Sequence, residues 1–170
     1  FEDSGVKGNV VVIGGGNVAI DVARSSVRLD SVNKVDLFSL ESRKDMPAHE
    51  EEVAEALSEG IEIHNSYGPS RILEENGKVV GVEFKRCIST FDHTGKFNPK
   101  FDEKDVHVVP CDYVLLSVGQ TYAYGNLLKG ENVNLTSRQT IEVDSVTLQS
   151  SKADIFAGGD VATGPKLAID

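Results

Sequence analysis

Three consecutive glycines, Gly14, Gly15 and Gly16, close a run of four β-branched residues, Val10, Val11, Val12 and Ile13. Asn17, Val18 and Ala19 follow at once, so the spacing reads G-x-G-x-x-A. The chemistry that suits this spacing is the binding of a diphosphate. Gly14 allows a tight turn, Gly16 lets a pyrophosphate approach the backbone, and the small Ala19 allows helix and strand to pack closely. Amide groups in a first helical turn have no intrahelical acceptor and sit at the positive end of the dipole, so those of Asn17 and Val18 favour an anion. Asn17 is expected to help cap that turn.

A second chemical signal lies 25 residues after Gly16, where Glu41 follows the strand-like segment Val35 to Leu40. An acidic residue about 20 residues beyond such a glycine motif accepts hydrogen bonds from ribose hydroxyls. A carboxylate there also repels a 2′-phosphate, so NAD(H) is expected over NADP(H). Arg43 and Lys44 are close enough in sequence to bind a phosphate instead. No side-chain acid, base or nucleophile is assigned a catalytic role. The four histidines, His49, His64, His93 and His107, show no metal-ligand spacing with one another or with cysteine, and no metal site is expected. Cys87 and Cys111 form no C-x-x-C and read as reduced thiols of a cytoplasmic protein.

These residues need elements to hold them. Residues 9–13 predict a strand, 17–29 a helix with a buried stripe of Val18, Ala19, Val22, Ala23 and Val27, and 35–40 a second, parallel strand. Pro47 suits the first position of a second helix. Glu50, Glu51 and Glu52 suit its positive end, Val53, Ala56 and Leu57 its buried stripe, and Gly60 its stop. Residues 61–64 predict a short strand. Residues 70–73 and 79–86 predict a hairpin through Asn76-Gly77, 92–105 a polar loop or broad hairpin tip, and 106–109 a further strand. Tyr113 to Val118 is nearly all apolar and predicts a parallel strand buried on both faces, with Gly119 and Gln120 at its carboxyl end. Beyond it, Leu127-Leu128 suggests a helical turn and Thr140 to Val143 a short strand. The fold class is α/β: a Rossmann-like parallel sheet with an inserted antiparallel hairpin or meander.

Net charge is −10 over 170 residues. That argues against nucleic acid or an anionic membrane as a partner, since both need basic patches. No apolar run approaches the roughly 20 residues of a membrane span.

With these motifs in place, the chain resembles the FAD- and NAD(P)-dependent pyridine nucleotide-disulphide oxidoreductase superfamily. Within it, the likeness is to the small subunit of glutamate synthase and its relatives. The residues that carry it are Val11 to Asp21, Met46-Pro47-Ala48 with the acidic helix, Cys111-Asp112 before Leu115 to Gln120, and Ile155-Phe156-Ala157-Gly158-Gly159-Asp160. The resemblance implies that residues 1–118 are an NAD(P)-binding domain and that 119–170 return to an FAD-binding domain, with Gly159 and Asp160 at the flavin. Electrons would pass between nicotinamide and flavin, and on to an iron–sulphur or glutamate synthase-like partner subunit.

Three departures shape the expectation. The chain has one glycine fingerprint where the family has two, so it reads as a fragment that binds no FAD alone and is inactive by itself. The cysteine-rich cluster region is missing. Leu40-Glu41 stands where many members carry paired arginines for NADPH. A homodimer that exchanges the C-terminal segment would cover surface left by the missing FAD domain. Two other readings share the glycine turn: an NAD(H)-sensing module without turnover, and an S-adenosylmethionine-dependent methyltransferase. A short-chain dehydrogenase does not fit, because no tyrosine is followed by lysine four residues on.

Overall fold

A computed structural model describes residues 4–164. The chain divides into two units, residues 1–119 and 120–170.

The first unit opens with β1 (Gly8–Ile13), α1 (Asn17–Val27), β2 (Val32–Ser39), α2 (Glu50–Ser58) and β3 (Glu62–Asn65). An antiparallel insert follows: β4 (Tyr67–Glu75), β5 (Lys78–Phe91) and β6 (Phe97–Pro110). The chain then returns as β7 (Tyr113–Leu116). The parallel sheet has the order β3-β2-β1-β7, and the antiparallel sheet the order β4-β5-β6.

Period-two alternation along β1 makes this a layered unit. Val10 and Val12 join Val35, Leu37, Ala19, Ile20, Ala23, Val53 and Ala56 in the core under the helices. Val11 and Ile13 point the other way and pack with Phe38, Val82, Phe84 and Cys111, in the core beneath the antiparallel sheet. The continuous apolar run of β1 is thus buried on both faces. Phe38 stacks on Phe84 at a ring separation of 3.9 Å, and His64 stacks on Phe38 at 4.4 Å.

Several expected details differ. Helix α1 buries Ala19, Ile20, Ala23 and Ser26, whereas Val18 is 66% exposed. Two helical stripes about one residue apart both satisfied the apolar spacing. Val18 and Val22 instead line an apolar hollow of about 330 Å³ with Val6, Leu29 and Leu115. Helix α2 starts at Glu50 with His49 as N-cap, so Pro47 precedes it, and Leu57 is 51% exposed. Gly60 does follow α2, and the Ile61 amide donates to the Ala56 carbonyl in a C-terminal closing turn.

The Asn76-Gly77 turn joins β4 to β5 with positive φ at both residues, +53° and +78°, as a two-residue hairpin requires. Residues 97–105, read as part of a polar loop or broad hairpin tip, belong to β6, and only 92–96 form the turn. Pro99 disguised the strand. It is tolerated because β6 is an edge of its sheet. Strand β7 is shorter than expected and only half-buried, and Leu116 at its end and Val118 beyond it are exposed. It too is an edge strand, so its apolar run marks the interior direction of the sheet but not two covered faces.

Helices α1 and α2 are joined by charge. Arg24 reaches Glu52, Glu55 and Glu59 at 2.9, 2.6 and 2.8 Å, and Arg28 reaches Glu59 at 2.6 Å. Hydrogen bonds from Arg28 and Arg24 hold the Glu59 carboxyl below its ordinary pKa of 4.5. A carboxyl depressed in the folded state adds stability above its ordinary pKa, and that stability is lost as pH falls toward the folded value. We therefore expect the wild type to melt above Glu59→Gln at pH 7, with the two melting curves converging as pH is lowered below 4.5. A gap that persists into acid would place the effect elsewhere.

In the second unit, tight turns occupy residues 125–131, where amides bond back three residues. The expected Thr140 to Val143 strand is reduced to isolated bridges at Ile141 and Val143. The short helix α3 (Asp160–Thr163) follows Gly159.

Candidate functional site

The carboxyl ends of β1, β2 and β7 bring together the glycine turn, Glu41 and Gly119. This is where ligands bind in open parallel sheets. Gly14 is at φ +152°, and its amide donates to the Phe38 carbonyl at 2.9 Å. A side chain there would run into the Ser117 carbonyl oxygen and the Ala19 methyl. Gly14 is therefore the residue that lets β1, β7 and α1 meet.

Gly15 has a different reason to be glycine. A Cβ on it would stand 2.5 Å from Glu41 Oε2 and 2.7 Å from Ser39 Oγ. The Glu41 carboxylate thus lies directly against the glycine turn. Its Oε2 accepts a hydrogen bond of 2.7 Å from Ser39, and its other oxygen has no partner among the described residues. Gly16 is open: nothing lies within 4 Å of where its Cβ would be. Among the described residues, no acceptor pairs with the amides of Gly15, Gly16, Asn17 or Val18. An open cradle of four successive donors at the start of an 11-residue helix fits a pyrophosphate. With Glu41 beside it, the arrangement fits a dinucleotide.

Asn17 does not cap α1. Gly16 is the N-cap and makes no side-chain cap bond. The Asn17 Oδ1 instead accepts from the His49 amide at 2.8 Å, while the Ala48 amide donates to the Gly15 carbonyl at 3.0 Å. The segment before α2 is thereby folded back onto the turn. Asparagine was read as a local cap because the tertiary partner, 32 residues away, leaves no local signal.

Arg43 lies near the site but is already engaged, with its guanidinium 2.6 Å from Glu50. Ser39 was missed by sequence reasoning, since a serine ending an apolar strand carries no pattern of its own. Gly119 has φ +98° and open space around it. Gln120 opens the second unit and is exposed, as are Gly159 and Asp160.

Strand pairing also assembles residues that spacing had kept apart. Asp36, Glu62 and His64 meet on β2 and β3. The Lys34 ammonium stands 3.1 Å from both carboxylates, so the local cation is a side chain. Cys87 and Cys111 are buried free thiols. Burial first, then Asp112 and Asp36, pushes Cys111 up to about 11, which leaves it a thiol and a poor nucleophile at neutral pH.

Residues 1–170 match the family description "pyridine nucleotide-disulphide oxidoreductase". The chain belongs to this family. Proteins of the family use pyridine nucleotide and FAD. The chain is 36% identical to the beta subunit of the NADP(+)-dependent formate dehydrogenase of Moorella thermoacetica, over 97% of its own length and 23% of that protein. It is 30% identical to the glutamate synthase [NADPH] small chain of Escherichia coli K12, over 94% of this chain and 35% of that one. Among solved structures it is similar to T. acidophilum thioredoxin reductase, with a TM-score of 0.73 and 26% identity over 92% of this chain and 45% of that one. The chain therefore spans about a quarter to a third of these curated relatives. The thioredoxin reductase-like α/β fold and the oxidoreductase family agree with the expectations drawn from the motifs. Among the described residues, no helix is long and apolar enough to cross a membrane.

Proposed function

We propose that this chain is the nucleotide-binding part of a flavoprotein oxidoreductase and that it binds NADH in preference to NADPH. The observation that carries the reading is the Glu41 carboxylate held against the glycine turn. A ribose whose pyrophosphate rests on the amides of residues 15–18 brings its hydroxyls to the end of β2. There a carboxylate accepts from the diol and repels a 2′-phosphate. Arg43 and Lys44 are the nearby cations that would favour NADPH, and Arg43 is drawn off by Glu50. The relatives named above carry NADP or NADPH in their descriptions, so likeness to them does not favour NADH. Glu41 does.

In this reading residues 1–118 form the nucleotide domain, and 119–170 contribute to a flavin domain completed by the rest of a longer parent. Gly14, Gly15, Gly16 and Ala19 shape the turn, Asn17 and Val18 donate to the pyrophosphate, and Gly119 borders the nicotinamide end. The nicotinamide supplies a hydride and the flavin accepts it, and each residue named here binds or orients. An iron–sulphur or glutamate synthase-like partner subunit suits the next electron step, since the relatives are beta and small chains.

Calorimetric titration of NADH and NADPH into the wild type and Glu41→Ala tests the reading. NADH is expected to bind roughly tenfold more tightly than NADPH, which is the effect of one charge-assisted hydrogen bond. Glu41→Ala is expected to remove that preference. Tighter binding of NADPH by the wild type would overturn it.

A further inference from the structure

We propose that Ser39 is a positioning residue for nucleotide choice: its hydroxyl locks the Glu41 carboxylate against the glycine turn and leaves the second carboxylate oxygen for the ribose diol. The proposal rests on the NADH reading above and extends it to a residue that touches no nucleotide.

Ser39 ends β2 and has no exposed surface. Its hydroxyl donates to Glu41 Oε2 at 2.7 Å. Both groups occupy the space of the missing Gly15 side chain. The Gly15 backbone lies outside the left-handed region, and the three atoms nearest to an alanine Cβ there all belong to the Ser39–Glu41 pair. The main chain of residue 41 is fixed from the opposite direction. Its carbonyl accepts from the Ser66 amide at 2.9 Å, and the Ser66 carbonyl accepts from the Cys87 amide at 2.8 Å. Glu41 is thus held at its backbone by the start of the antiparallel insert and at its carboxylate by Ser39.

This double hold matters because a free glutamate side chain is mobile. It would lose rotamer freedom on binding a ribose, and it could swing away from a 2′-phosphate. A carboxylate fixed by a charge-assisted bond does neither. Ser39 therefore strengthens NADH binding and sharpens rejection of NADPH together.

The test is the ratio of NADPH to NADH dissociation constants for the 170-residue chain, measured by calorimetry on the wild type, Ser39→Ala, Glu41→Ala and the double variant. Ser39→Ala is expected to lower the ratio roughly threefold to fivefold, part of the preference that Glu41 supplies. In the Glu41→Ala background the same substitution is expected to leave the ratio unchanged, because the carboxylate that Ser39 positions is gone and only its longer contact of 3.4 Å with the residue 41 carbonyl remains. Gly15→Ala displaces the carboxylate by a second route and is expected to lower the ratio similarly, which keeps the test open if Ser39→Ala does not fold. A Ser39→Ala ratio within twofold of wild type overturns the proposal, as does an equal fall with and without Glu41. A wild type that prefers NADPH overturns the NADH reading itself, and the proposal with it.

Discussion

Gly14→Val is expected to abolish nucleotide binding and to destabilise the chain by roughly 2–6 kcal/mol. Two costs combine. A β-branched residue at φ +152° is strained. Its side chain must also displace the Ser117 carbonyl and the Ala19 methyl, which lie where the new atoms would go. The Ser117 amide in turn donates to the Ile13 carbonyl at 2.8 Å, so a shift there unzips the β1–β7 pairing at the site. Gly16→Ala separates fold from function. Gly16 is extended, at φ −94° and ψ 174°, and its Cβ would point into open space. That substitution should leave the urea midpoint near wild type and weaken NADH binding. Denaturation and calorimetry on both variants check the pair. A Gly14→Val chain of wild-type stability would mean that the turn is not the pivot of the sheet.

The turn was legible from the sequence because each of its requirements is local. Four β-branched residues, then glycine, then apolar helical spacing state a strand, a turn and a helix within about fifteen positions. Asn76-Gly77 was legible for the same reason. What escaped was set by partners distant in sequence. Val18 looked buried because apolar spacing alone cannot choose between adjacent helical stripes. Tyr113 to Val118 looked covered on both faces because its composition matches that of a central strand, while its neighbours make it an edge. Residues 97–105 looked like loop because an edge strand can be polar and can hold Pro99. Glu41 was singled out by its spacing from Gly16. The two contacts that define its geometry, with Ser39 and with the Gly15 space, were not, because each depends on how two strand ends meet.

The antiparallel insert provides the second large prediction. Phe84→Ala is expected to cost about 3–5 kcal/mol, a large share of the stability of an ordinary domain. Phe84 is fully buried, stacks on Phe38, and shares its core with Val11, Ile13, Val82 and Cys111. It is therefore the main apolar link between the two sheets. The loss should also reach the site. Phe38 is next to Ser39 on β2, and residue 41 is tied through Ser66 to Cys87 on β5, three positions from Phe84. Loosening the insert should free the Glu41 backbone and weaken NADH binding even where the chain stays folded. Phe84→Leu, which keeps most of the volume, should lose less of both. Urea denaturation and NADH titration, run on the two variants below their unfolding transitions, decide the point. If Phe84→Ala lowers stability and leaves NADH affinity intact, the insert buttresses the parallel sheet without supporting the nucleotide site. If both fall together, the insert is part of what holds Glu41 in place.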